Sequence, residues 1–341
     1  MFLKKWVREN RLMKPWYHRT AHAVEVLRHY GDYRQAGEWA KNFDRIIAIF
    51  GGIGDDLMST AVLRGLAGSG VGRIGVLSEY PAVFEQNPDP FTVLPKRFPQ
   101  FTFLERRMGE RFRILLYAPR LDSDRSRPPG EHVIGILCRK AGVMTTTALR
   151  PFLVLRGEEK AQMATSRETI CFQTSTQAAR YFWRNKEWYP ERFQKVADQF
   201  RGRFRLVQLG SAGDPALDGV EDWRGKTTLR ECGAILSQAR LFVGLEGFFM
   251  HLARAVETRS VIVYGGRLLP TEIGYPCNEG ISGLPPCAPC WQDNRCDFNH
   301  VCMDMIQPEA VTAAVLRALD RPRDNLETDY FQPGTGPVVS A

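Results

Sequence analysis

Short apolar runs that end in glycine turns, each followed by apolar residues at helical spacing, recur along this chain. The clearest instance spans residues 239–265. Segments 241–244 and 261–265 read as strands, and between them Phe249, Met250, Leu252, Ala253 and Val256 share one helix face. Such a βαβ unit implies a parallel sheet. Glu246 and Gly247 leave the first strand where the helix begins. Free N–H groups and the helix dipole then point into the crevice at the carboxyl ends of the strands, which is an anion site.

The same grammar opens the first half. Residues 46–50 form a continuous, isoleucine-rich apolar run, the mark of a strand buried on both faces. Gly51-Gly52-Ile53-Gly54-Asp55-Asp56 follows, and then a helix with Met58, Val62 and Leu66 on one face. A dinucleotide loop needs a third glycine where Leu57 stands, so that reading is rejected. On residue type alone, Asp55 is a helix cap.

Further strands are expected at 74–77 and 112–117, a helix at 132–141, and Pro-rich loops at 87–99 and 126–130. Polar residues 156–167 read as an interdomain linker. A second domain begins with strand 169–172, continues through strand 204–209 and helix 229–238, and closes with helix 308–319. The pattern is α/β with two domains, 45–155 and 168–320, flanked by an extension at 1–44 and a tail at 321–341 with few anchors, expected to be mobile.

A length of 341 residues suits two domains, and 44% hydrophobic with 25% charged residues excludes wholesale disorder. No run is long and apolar enough to span a bilayer, and the first residues lack a signal-peptide core, so a cytoplasmic protein is expected. The net charge of +8 suits an acidic partner. Residues 1–44 interleave Lys and Arg with Trp6, Trp16, Tyr17, Tyr30, Tyr33 and Trp39. That composition fits either a helical arm packed on the body or peripheral contact with the inner face of a membrane. No nucleic-acid module signature is present, and no nucleic-acid partner is expected.

Of eight cysteines, five lie between Cys277 and Cys302. Cys287, Cys290, Cys296 and Cys302 include one C-x2-C pair and are a candidate ligand set for structural zinc or iron. The alternative is that they only pack a long polar loop. Cys277 is the first substitute ligand.

Glu246-Gly247, then Met250-His251-Leu252-Ala253, then a strand ending in Gly-Gly, resembles the nucleotide-sugar site of glycosyltransferase family 9, the heptosyltransferase family. This chain has Glu246-Gly247-Phe248 where the family has Asp-Ser-Gly, an acid longer by one methylene and an aromatic in place of a small residue. Gly54-Asp55 matches the family's Gly-Asp turn, and Lys186-Glu187-Trp188 its Lys-x-Trp.

The resemblance implies a GT-B architecture, two Rossmann-like doubly wound domains facing across a cleft, with the acceptor on the first and the nucleotide sugar on the second. It implies Asp55 as catalytic base, with Gly52 and Gly54 in the acceptor-side loop. Thr174, Ser175, Lys186, Glu246, Gly247 and His251 become the donor-site residues, with Lys186 near the diphosphate. The expected activity is inverting transfer of a heptose-like sugar from a nucleotide-diphosphate sugar to a glycan, lipopolysaccharide or protein acceptor, lipid-linked acceptors included, without a catalytic metal. A noncatalytic GT-B scaffold, suggested by Phe248 and the basic arm, is the rival from another class, and donor turnover separates the two. A GT-B-like epimerase would need additional acid and base residues.

Overall fold

The computed structural model describes residues 30–95, 98–117, 131–163, 168–177, 182–323 and 326–334. In the first domain the order is α1 (Tyr30–Ala40), β1 (Arg45–Ile49), α2 (Ile53–Gly68), β2 (Ile74–Ser78), β3 (Phe91–Pro95), α3 (Phe98–Met108), β4 (Phe112–Leu115) and α4 (Val133–Ala141). Its strands form a parallel sheet in the order β3-β2-β1-β4. Ile46, Ile47, Ala48 and Ile49 of central β1 are all buried, because helices cover both faces of the sheet. On one face α1 lays Trp39 against Gly75 of β2, where a side chain at Gly75 would collide with the indole. The end of the expected N-terminal extension is thus part of the domain. Its first 29 residues, which hold most of its Lys and Arg together with Trp6, Trp16 and Tyr17, fall outside the described residues.

A short pair follows, β5 (Thr147–Ala148) and α5 (Gly157–Gln162), before the second domain. That domain contains β6 (Thr169–Phe172), α6 (Pro190–Asp198), β7 (Arg205–Gln208), β8 (Glu221–Asp222), α7 (Leu229–Gln238), β9 (Leu241–Leu245), α8 (Phe248–Ala255) and β10 (Ser260–Tyr264). It continues with α9 (Pro270–Ile273), β11 (Glu279–Ser282), α10 (Val301–Asp304) and α11 (Pro308–Asp320), and the last described element is β12 (Tyr330–Phe331). Six parallel strands run in the order β11-β10-β9-β6-β7-β8. The chain moves outward from β6 through β7 and β8, then returns to pair β9 on the other side of β6. Strand order reverses between β6 and β9, and the crevice outside their carboxyl ends is where such sheets bind ligands.

Three expectations need correction. Residues 87–99, expected as a loop, contain the edge strand β3 and the start of α3. Pro90 and Pro95 punctuate the segment, but an edge strand tolerates proline because one side of its backbone is unpaired. The expected linker 156–167 contains α5, and Glu159 closes back on the Arg156 N–H at 2.7 Å to cap it. Residues 326–334 of the C-terminal tail are anchored: Tyr330 and Phe331 pair with β5, and Arg254, 1% exposed, bonds Thr328. The expected loop 126–130 lies outside the described residues. Among the described residues no helix is long and apolar enough to cross a membrane.

The domains share a core. One cluster of buried side chains runs from Leu57 and Val62 of α2 to Leu252 of α8 and Phe242 of β9. Polar ties reinforce it. Arg230 of α7 bonds Glu159 at 2.5 and 2.8 Å, the Val154 carbonyl at 2.7 Å and the first domain's Ala82 carbonyl at 3.2 Å. The Arg230 bonds hold the Glu159 carboxyl down to about 2.

Replacing Arg230 with alanine leaves this nearly buried carboxylate and two carbonyls without their donor. The expected loss is about 3 kcal/mol, at the lower end for a broken buried pair because the rim is wet. Because the folded-state pKa of Glu159 is depressed, the pair's contribution is present above pH 4.5 and is lost as pH falls towards 2. Thermal melts of Arg230→Ala should therefore change less with pH across that window than those of the native chain. Parallel melting curves would show that the latch contributes nothing.

Candidate active site between the domains

Asp55 stands in the first turn of α2, where the glycine turn leaves β1. Its Oδ2 accepts the Gly52 N–H at 2.8 Å. The carboxylate thus caps the helix and still faces the cleft. Gly51 lies at φ +129°, and a side chain there would strike the Asp55 carboxylate, so only glycine lets the turn carry an acid at this place. Burial raises the Asp55 carboxyl to about 6, while the Gly52 N–H and the Lys186 ammonium pull it back and the Glu246 carboxylate adds to the rise. Two residues of the second domain therefore act on an acid of the first. Asp56, the neighbour that might be confused with it, is buried and accepts a bond from Ser78 on β2.

Lys186 ends a single 3-10 turn, Arg184–Lys186, ahead of α6. Its ammonium closes on both oxygens of Glu246, at 2.6 and 2.8 Å, with the two side chains 9% and 5% exposed. Desolvation pushes the lysine down, and the adjoining carboxylate opposes that shift. Glu246 follows β9 directly. Gly247, at φ +148°, then turns the chain into α8, a conformation that favours glycine.

His251, one turn into α8, is buried and held neutral, burial lowering it to about 3. Its Nδ1 meets the Tyr275 hydroxyl at 2.6 Å. A side chain on Gly54 would come within 3.3 Å of the His251 ring and 3.6 Å of the Phe248 backbone. Gly54 is small because α2 and α8 cross there. Phe248, the aromatic in the small-residue slot, occupies part of that contact.

The structure thus brings together Asp55, Gly52, Gly54, Lys186, Glu246, Gly247 and His251. Thr174 is different. It is fully buried, with its hydroxyl donating to the Pro215 carbonyl and accepting from Gln208, so it supports the loop beneath the crevice instead of facing a ligand. Ser175 donates to Glu187 at 2.6 Å and accepts the Gln177 N–H. Trp188 of the Lys-x-Trp is core, its Nε1 bonded to the Ile306 carbonyl.

Two further residues were not anticipated. Tyr275 orients His251. Arg267, just past Gly265-Gly266, is 7% exposed and lies over the Trp183 ring at 4.2 Å, the same ring that Lys186 approaches at 4.4 Å. The only sequence signal for it was a cation directly following a Gly-Gly strand end.

The four loop cysteines are reduced and partly exposed. Burial and neighbouring sulfurs raise the thiols of Cys287, Cys290 and Cys302, and Cys296 is among those neighbours for each. Among the described residues, however, no three His, Cys, Asp or Glu side chains converge as an ion would require. The donor chemistry fits a thiophilic metal; the closed geometry is not formed. The loop is stitched to the crevice: Asn185 bonds the Gln292, Asp293 and Arg295 backbones, and the Cys290 N–H bonds the Gly266 carbonyl.

Residues 154–279 match the family model of glycosyltransferase family 9 (heptosyltransferase). No curated protein matches the sequence. Among solved structures, the fold is similar to Escherichia coli ADP-heptose lipopolysaccharide heptosyltransferase II, with TM-score 0.60 and 16% identity over 81% of this chain and 98% of that one. It is similar to a family 9 glycosyltransferase of Veillonella parvula, with TM-score 0.59 and 17% identity over 81% and 97%. It is also similar to the dodecameric iron-containing heptosyltransferase TibC in complex with ADP-D-beta-D-heptose, with TM-score 0.61 and 17% identity over 81% and 77%. TibC is from enterotoxigenic Escherichia coli. These likenesses carry the fold, a GT-B architecture, and the match to the family model is confined to residues 154–279 of the second half.

Proposed function

We propose that the protein is an inverting glycosyltransferase that moves a heptose-like sugar from a nucleotide-diphosphate donor to a glycan, lipid-linked or protein acceptor. The observation that carries this reading is the meeting of Asp55 from one domain with the Lys186–Glu246 pair from the other. A carboxylate raised to about 6 by burial is a better proton acceptor near neutral pH than an ordinary one. The similar heptosyltransferase structure with bound ADP-heptose supports the donor class.

In this reading an acceptor hydroxyl enters from the side of Gly52 and Gly54. Asp55 takes its proton as the oxygen bonds to the anomeric carbon, and the bond from that carbon to the diphosphate oxygen breaks on the opposite face. Inversion follows. The departing diphosphate gathers negative charge, which Lys186 and the free N–H groups at the start of α8 stabilise. Glu246 would repel phosphate, so its part is to hold the ammonium in place and to accept from ribose or sugar hydroxyls. His251, kept neutral and fixed by Tyr275, lines the crossing where donor and acceptor meet.

The four cysteines complete the proposal as a structural ligand set. Their thiolates would hold one zinc or iron ion tetrahedrally and order a loop whose backbone is tied to the Lys186 segment. The relative described as iron-containing makes iron the first metal to seek.

Asp55→Asn keeps the size of the side chain and removes the base. Transfer should fall about 100- to 10,000-fold, with melting temperature and nucleotide binding little changed. In the native protein kcat/KM should fall on the acid side with an apparent pKa of about 6, because only ionised Asp55 accepts the proton. Near-normal turnover by a folded Asp55→Asn protein would sink the assignment.

Elemental analysis after expression in metal-replete medium tests the loop. One iron or zinc per chain is expected, and chelation should lower the melting temperature. A metal-free protein with Cys287, Cys290, Cys296 and Cys302 all titrating as thiols would show that they only pack.

A further inference from the structure

The two cations of the crevice are held differently. Lys186 is closed on a carboxylate as buried as itself, whereas Arg267, also buried, is held by an exposed one. Arg267 Nε and Nη2 both reach Oδ1 of Asp293, at 3.0 and 2.8 Å. The Arg267 side chain is 8% exposed and that of Asp293 48%. Releasing Glu246 would strand a charge in the interior. Releasing Asp293 to water costs little, since exposed partners contribute weakly.

The stem of Arg267 is fixed even though its partner is exchangeable. The Trp291 N–H bonds the Arg267 carbonyl at 3.1 Å and the Cys290 N–H the preceding carbonyl at 2.8 Å. Its guanidinium lies over Trp183, beside the ammonium of Lys186. The residue follows the carboxyl end of β10, which pairs with β9, and β9 delivers Glu246 to the crevice. A preset, planar fork of donors is the group best matched to two phosphate oxygens.

We propose that Arg267 binds the donor's diphosphate, and that Asp293 occupies the guanidinium until the diphosphate displaces it. The proposal rests on the nucleotide-sugar reading of the crevice. Charge supports it: with Asp55 ionised, Lys186 is outnumbered by the Asp55 and Glu246 carboxylates. Freeing Arg267 from Asp293 brings these protein groups from a net negative charge to neutrality, so the incoming dianion meets a neutral site instead of an anionic one. Asp293 therefore acts as a placeholder that keeps a buried cation satisfied between turnovers.

Isothermal titration of the full chain with inorganic pyrophosphate and with ADP tests this in four proteins: native, Arg267→Ala, Asp293→Asn and Lys186→Ala. Arg267→Ala should weaken both ligands about 10- to 100-fold. Asp293→Asn should tighten them about two- to fivefold, because it removes a competitor. Opposite signs at the two ends of one ion pair are what a merely structural pair would not give. Arg267→Lys, which keeps the charge without the fork, should fall between native and alanine, and it stands in if Arg267→Ala fails to fold. Normal affinity in Arg267→Ala beside weakened Lys186→Ala would overturn the proposal, as would weakening by Asp293→Asn. Failure of the native protein to bind either ligand, or no change in any variant, would overturn the donor-site reading and this proposal with it.

Discussion

The rest of the site depends on a lysine that is almost wholly withdrawn from bulk water. Burying an ammonium is unfavourable by several kcal/mol unless a carboxylate closes on it, and Glu246 does so with both oxygens. That constraint fixes where the neighbouring elements go. Lys186 must end its 3-10 turn over the carboxyl end of β9, so the segment before α6 is drawn across the crevice. Glu246 must leave β9 towards the lysine, so the next residue turns back at φ +148° and is glycine. Asp55, arriving from the other domain, lies between the field of the cation and that of the carboxylate. Burial raises its pKa, the Gly52 N–H and the Lys186 ammonium oppose that rise, and the Glu246 carboxylate adds to it.

The parts that could be read from the sequence are those where local chemistry and global fold agree. The strands β1, β6 and β9 are continuous apolar runs because helices cover both faces of each sheet, and burial on both sides leaves no polar alternation. The turns at Gly54-Asp55 and Glu246-Gly247 announce themselves because each needs a glycine, the first where α2 crowds His251 and Phe248 and the second for a φ of +148°. What could not be read depends on partners distant in sequence. β3 is a strand only because β2 lends it hydrogen bonds, and its flanking prolines speak for a loop. β12 forms only because β5 lies 182 residues earlier in the register Tyr330 to Ala148.

Arginines were the least legible. Arg230, Arg254 and Arg267 are all nearly buried, although arginine is usually exposed unless paired. Each is buried by a different tertiary accident of the fold: the seam with the first domain, the returning C-terminal strand, and the crevice beside Trp183. Nothing in the neighbouring sequence marks Arg230 or Arg254, and only its place after Gly265-Gly266 marks Arg267. Thr174 shows the converse: a hydroxyl in a motif position looks unpartnered from sequence, whereas a glutamine and a carbonyl from other elements bond it in the fold.

The cysteine loop belongs to the same physical problem. A long polar segment with little apolar material cannot order itself by burial, yet it supplies the carbonyls that hold Asn185 and the N–H groups that fix the backbone of Gly266 and Arg267. Asn185 directly precedes Lys186. Any looseness in the loop is thus passed, through one peptide unit, to the residue whose buried charge organises the crevice. His300 adds a third tie by meeting Asn185 Oδ1 at 3.0 Å, from a left-handed backbone at φ 56°. A staple through the four thiols would act where the loop is least able to hold itself and where its order matters most. Its effect on chemistry would pass through the placement of two cations, with no role at the reacting bond.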